Sequence, residues 1–224
     1  RQVLRRRTEP AKHREGFLPE TPLKSLTFPS PVVPFAAILT PDAALFDEAR
    51  QKLEVLMPPV MEVLAPSPFN HTDYYCDEMG DELFKGFVSF LPAFTQDSLV
   101  QFKLNARGIE WGYAFLENNR IRRRINIDPG YVDLSKIVLA TSKNFAHRIH
   151  VGSGVFAEVT LIYQARRWST LPWTYPDFAS DRVQQFLSRC RTALSTHVNR
   201  CASDLAETQT DRTCDSHTIV TQRD

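Results

Sequence analysis

The chain has 224 residues, of which 42% are apolar and 24% charged, with 15 phenylalanines and a formal net charge of +1. That is one large domain or two small ones with enough apolar mass for a proper core, and the near-neutral balance argues against a dedicated DNA-coating protein. Cys76, Cys190, Cys201 and Cys214 form no C-x-x-C pair, no apolar run approaches the roughly 18 residues needed to span a bilayer, and the first arginines lack the apolar h-region of a secretory signal, so the expected location is cytoplasmic, with no membrane span.

In chain order, residues 1–32 read as a disordered, basic, Pro-rich arm; residues 1–34 hold seven Lys/Arg against three Glu and six prolines. One folded domain is expected over 33–200. "VVPFAAILT" reads as a buried strand. Thr40-Pro41-Asp42 follow as N-cap, first-turn Pro and first-turn acid of a helix with Leu45, Ala49, Leu53 and Leu56 on one face. "VMEVLA" is a second strand, the loop "FNHTDYYCDEMGDE" follows, and "LFKGFVSF" is a third strand. A second helix from Thr95 carries Leu99, Phe102, Ala106, Ile109, Tyr113 and Leu116.

Residues 121–128 alternate, with Ile121, Ile125 and Ile127 on one face and Arg122, Arg124, Asn126 and Asp128 on the other; Arg123 breaks the apolar series. Asp128-Pro129-Gly130 reads as the turn that ends this strand. "VDLSKIVLATSK" fits either a short helix capped by Asp133, the preferred reading, or a strand. "HRIHVGSGVFAEVTLIYQ" is a hairpin. A three-residue Gly-Ser-Gly loop keeps Ile149, Val151, Val155, Ala157, Val159 and Leu161 on one face and sets His150 opposite Phe156 and Arg148 opposite Glu158. "LPWTYPDF" is a rigid connector, Ser180 caps a last helix, and 201–224 reads as a disordered polar tail. The class is therefore α+β, with a ferredoxin-like split βαβ core (β-α-β-β-α-β) extended by a β-hairpin and a C-terminal helix.

The strings "FNHTDYYCDEMG", "RRRINIDPGYVDLSKIVLATSKNFAHRIHVGSGVFAEVTLIY" and "LPWTYPDF", in that order, resemble an uncharacterised bacterial family known as domain of unknown function 4416, over 33–190. The resemblance implies no established activity, although some members carry the loose label "GTP-binding protein". The residues do not supply a P-loop: G-x-x-x-x-G-K-[ST] and N-K-x-D are both missing, and the partial matches, Asp77-x-x-Gly80 and a base-binding-like Thr141-Ser142-Lys143, are short enough to arise by chance.

Three groups in these segments carry chemistry. His71, Asp73, Tyr74 and Tyr75 lie in the loop after the second strand. Arg122, Arg124, Asn126 and Asp128 share a strand face, with Tyr131 beyond the turn. Lys136, Lys143, His147, Arg148 and Glu158 follow. Asp128, Glu158 and Asp73 are the candidate catalytic carboxylates, and with His71 they form a candidate set for a divalent metal such as Mg or Mn. Arg122, Arg124, Asn126, Tyr131, Lys136, Lys143, Arg148 and Tyr75 are the candidate ligand-binding groups, Arg as a bidentate fork and Lys as a point charge. The expected function is binding of an anionic small molecule, phosphorylated or nucleotide, with metal-assisted phosphoryl-transfer or hydrolytic chemistry open. The alternatives are RNA binding on a sheet face, where "FKGFVSF" resembles the end of an RNA-recognition string, and a partner-binding scaffold. Arg148–Glu158 also fits a plain surface pair, worth about 0.2–1 kcal/mol.

Overall fold

The first strand, β1 (Val33–Thr40), is buried at every position, so both of its faces need a cover. Ala36 and Ile38 point into one core and Val33, Phe35 and Ala37 into another, as the two-residue period of a strand requires. The computed structural model of the chain describes residues 29–71 and 75–214; Cys76, Asp77 and 205–214 are described by backbone only. Most of the basic arm and Asp73 lie outside these residues.

Helix α1 (Ala43–Glu54) follows β1. Thr40 stays in the strand opposite Phe84, so the cap falls to Asp42, whose carboxylate accepts from the Leu45 N–H at 2.7 Å. Leu56, expected on the apolar face, lies past the helix end and is exposed. Next come β2 (Val60–Pro68), α2 (Cys76–Met79), β3 (Phe84–Phe90) and, after a 3-10 turn over Gln96–Ser98, α3 (Leu99–Gly112). The expected second helix stops short of Leu116. Instead β4 (Phe115–Glu117) and β5 (Arg120–Arg122) form a small separate hairpin, turned by Asn118 and Asn119 at φ of 50° and 62°.

Strands β6 (Asn126–Val132), β7 (Lys136–Thr141), β8 (Ile149–Gly152), β9 (Val155–Gln164) and β10 (Arg167–Thr170) complete the strands, and α4 (Asp181–Cys214) ends the described chain. The helix continues past Arg200 to Cys214, into the segment expected to be a disordered tail. The main sheet is antiparallel and eight-stranded, in the order β10-β9-β7-β6-β1-β3-β2 with β8 on β9. Helices α1 and α3 cover one face and α4 the other. The class is α+β. Among the described residues no helix is long and apolar enough to cross a membrane.

Three further expectations change. The strand expected over 121–128 is broken: β5 belongs to the small hairpin, and 123–125 connect it to β6. Within 132–143 no helix forms: Val132 ends β6, Lys136–Thr141 is strand β7, and Asp133 accepts from the Ser135 N–H at 2.8 Å in the tight β6–β7 connection. Asp128-Pro129-Gly130 is no turn; all three residues lie inside β6. The β8–β9 register holds as expected, with His150 opposite Phe156, but it is reached by pairing Gly152 with Val155 and bulging Val151.

Gly130 sits in β6 for reasons of space. A Cβ there would lie 2.4 Å from the Val138 carbonyl oxygen and 2.8 Å from the Phe35 ring. Gly130→Ala must push β6 and β7 apart, and we expect it to lower stability by about 1–3 kcal/mol, read as a lower urea midpoint at unchanged slope.

Candidate functional site

The β6–β7 ladder runs from Val132↔Ile137 to Gly130↔Leu139 and stops there. Beyond it, Asn126, Ile127 and Asp128 pair only with β1, while Ala140 and Thr141 pair only with β9. Pro129 supplies a local cause. The Ile127 N–H points away from β1, to the Glu110 carboxylate, so by strand alternation the Pro129 nitrogen also faces the β7 side, where it has no hydrogen to give. The strands part, and the gap opens into a cavity of about 450 Å³ at this end of the sheet.

Helix α3 supports the exposed β6 edge. The Ile127 N–H donates to Glu110 Oε1 at 2.7 Å, and the Ile127 carbonyl accepts from Lys103 Nζ at 2.8 Å. These two side chains take the place of the missing strand partner, which is why both are charged and yet buried. Burial holds the Glu110 carboxyl above its usual range, against the pull of Lys103.

The cavity wall carries six cations (Lys85, Lys103, Arg107, Arg123, Lys143, Arg148) and four carboxylates (Glu110, Asp128, Glu158, Asp177). Most are held by internal bonds. The Glu158 side chain is 1% exposed; its Oε2 accepts from Arg148 Nε at 2.7 Å and lies 3.1 Å from His147 Nε2. Arg148 also donates to the Lys143 carbonyl and to the Tyr175 hydroxyl. This corrects the plain surface pair: Glu158 is buried, and the Arg148 side chain that covers it is 10% exposed. His147 stacks on Trp173 at 4.8 Å and 9°. Lys85 meets Asp177 at 2.7 Å with its ammonium over the rings of Phe69, Phe87 and Phe178. Arg123 donates to Glu78 at 2.8 Å and to Asn126 Oδ1 at 3.1 Å.

Of the residues singled out from the sequence, His71, Tyr75, Asn126, Asp128, Lys143, Arg148 and Glu158 line this cavity. Four others do not. Arg122 leaves on the β4–β5 hairpin and pairs with Glu117 at 2.9 Å; Arg124 lies 4.0 Å from Asp42. Tyr131 is buried beneath α3, where burial pushes its phenol up to about 12 and its hydroxyl donates to Gln96. Lys136 begins β7 at the opposite end and pairs with Asp133. The unbroken strand assumed for 121–128 is what misplaced Arg122 and Arg124. Asp73 and Tyr74 lie outside the described residues. No three His, Cys, Asp or Glu side chains gather as a metal set among the described residues; Glu158 is engaged by His147 and Arg148, and Asp128 by Lys103 and Asn126.

Lys103, Arg107, Glu110, Arg123, Lys85, Asp177 and Tyr175 were missed. Lys103 and Glu110 are seven residues apart on α3, each next to an apolar-stripe residue, a spacing that puts two charges on one helix face. That signal was legible. Arg123 interrupts the alternation because the strand is interrupted there. The "FKGFVSF" string offers no exposed rings to RNA from Phe87, which packs against Phe178 and Phe186 under α4.

The model of a family described as "Domain of unknown function (DUF4416)" matches residues 30–193. No curated protein matches the chain.

Two outcomes follow from the buried charges. Arg148→Ala strands the Glu158 carboxylate and should cost about 3–5 kcal/mol, whereas Arg122→Ala, at a more exposed pair, should stay within about 1 kcal/mol; chemical denaturation of both variants makes the comparison. Because the folded-state value of Glu110 is raised above 4.5, its contribution to stability is present below that pH and is lost as pH rises through the folded value. Glu110→Gln keeps the acceptor for Ile127 and lacks this loss. Urea melts across that range should therefore show the variant gaining on the wild type as pH rises.

Proposed function

The chain belongs to the DUF4416 family, and we propose that it binds an anionic small molecule, phosphorylated or nucleotide, in the crevice between β6 and β7. The observation that carries this reading is the convergence of six cationic side chains, against four carboxylates, on one cavity of about 450 Å³. Two of the four carboxylates are spent on internal pairs with two of the cations, Glu158 with Arg148 and Asp177 with Lys85, which leaves four cations against two carboxylates. Arg107 and Lys143 are exposed at the wall, and Arg123 is partly so. Such a wall attracts negative charge, and a pocket of this size at parted strand ends is a common ligand location.

The strand order β6-β1-β3-β2, antiparallel throughout and with α1 and α3 on one face, supports reading the first half as a ferredoxin-like split βαβ core. In that reading β7–β10 extend the core beyond β6, and the ligand site lies at the junction. Glu158 serves to hold Arg148 in place, with Tyr175 behind it.

Thermal shift of the full chain with inorganic phosphate, sugar phosphates and nucleotides tests the reading. A true ligand stabilises by mass action, about 2.7 kcal/mol at a hundredfold excess over Kd. Lys143→Ala should reduce the shift, and added salt should weaken it. A flat response to every anion would sink the proposal.

A further inference from the structure

We propose that Asp128 selects the ligand, and that the ligand is a phosphorylated sugar, free or within a nucleotide, whose hydroxyls donate to the Asp128 carboxylate. This rests on the anion-site reading above and narrows it.

The four wall carboxylates are not equivalent. Glu158 is 1% exposed and bound by Arg148; Asp177 is 9% exposed and paired with Lys85. Glu110 is buried and accepts the Ile127 N–H. Asp128 differs: its side chain is 31% exposed, and it lines the cavity. It is also held in place. Asn126 Nδ2 donates to Asp128 Oδ2 at 3.0 Å, and Asn126 is itself fixed by Arg123 Nη1 on its Oδ1 at 3.1 Å. Lys103 Nζ lies 3.6 Å from the other carboxylate oxygen. This chain, from Glu78 through Arg123 and Asn126, sets the orientation of one carboxylate at the cavity wall.

An ionised carboxylate accepts about four hydrogen bonds and donates none. Asn126 and Lys103 occupy part of that capacity, and the rest is open to donors entering the cavity. A bare anion has none to offer and meets the negative charge as repulsion. An anion that also carries hydroxyls satisfies both parts of the wall: its phosphate is attracted by Arg107 and Lys143, and its hydroxyls donate to Asp128. The rings of Phe69, His71 and Tyr75, on the same wall, suit the apolar faces of a sugar or a base. A cavity of about 450 Å³ fits a molecule of that size better than an ion.

Calorimetric titration of the full chain separates the two readings. The probes are ethyl phosphate, which has the phosphate and no hydroxyl donor, ribose 5-phosphate, and the 5′-monophosphates of adenosine and guanosine. The wild type should bind ribose 5-phosphate about tenfold tighter than ethyl phosphate, the scale of a hydrogen bond to a charged group. Asp128→Asn should weaken ribose 5-phosphate and leave ethyl phosphate equal or tighter, because a negative charge has gone. A merely structural role would weaken both together. The nucleotide arms tell a free sugar phosphate from a nucleotide: tighter binding of either monophosphate than of ribose 5-phosphate assigns the base to the ring wall. If the wild type binds both simple esters equally, Asp128 is not the selector and the anion-site reading survives. If no probe binds, both readings fall. The wild-type comparison needs no variant, so an unstable Asp128→Asn protein still leaves the question decided.

Discussion

At Gly130 the backbones of β6 and β7 approach so closely that a methyl group would overlap the Val138 carbonyl oxygen; one residue earlier, at Pro129, β6 has no hydrogen to offer across the same gap. The first fact pins the strands together, and the second lets them separate. The cavity, the exposed β6 edge and the charges that serve that edge all follow from this change within two residues. An unpaired strand edge inside a covered sheet leaves backbone groups that must be satisfied. Here Lys103 and Glu110 reach down from α3 and take the carbonyl and the N–H of Ile127. Two buried charges on one helix are thus explained by a strand that is not there.

The cavity wall is electrostatically crowded, and its geometry depends on pairing within the wall. Glu158 anchors Arg148, which in turn holds Tyr175; Asp177 anchors Lys85 among aromatic rings; Glu78 anchors Arg123, which holds Asn126. A buried pair of this kind is weak evidence for stability, since desolvation offsets most of the attraction. Its value lies in fixing the direction of each remaining donor and acceptor before a ligand arrives. Preorganised groups bind with less loss of side-chain freedom than mobile ones.

Legibility in the sequence followed the range of the interactions. The β8–β9 hairpin could be registered from its own face pattern, and His150 does oppose Phe156; the bulge at Val151 only alters how the loop closes. The core faces of α1 and α3 came from three- and four-residue spacing and are buried as that spacing implies, except for Leu56 and Leu116, exposed beyond the helix ends, and Tyr113, half-buried at the end of α3. "DPG" misled, because Asp, Pro and Gly mark turns by their local preferences, and here Pro and Gly answer instead to a neighbouring strand. The same holds for 132–143, where periodicity fitted helix and strand and only pairing with β6 and β9 decided. Arg122, Arg123 and Arg124 show the limit most plainly: three adjacent arginines go to Glu117, Glu78 and Asp42 on three different elements.

The amino-acid sequence by itself determined the α+β class, most of the elements, the family and the polar segments from which the candidate site is drawn. Those properties are written in local periodicity and in contiguous strings of residues. The sheet order, the covering of both sheet faces and the company each charge keeps were decided by the tertiary structure. A side chain's partner depends on which strands lie side by side, and strand pairing joins residues far apart along the chain. Lys103 meets Ile127, and Lys85 meets Asp177, only because the sheet brings distant segments to one end.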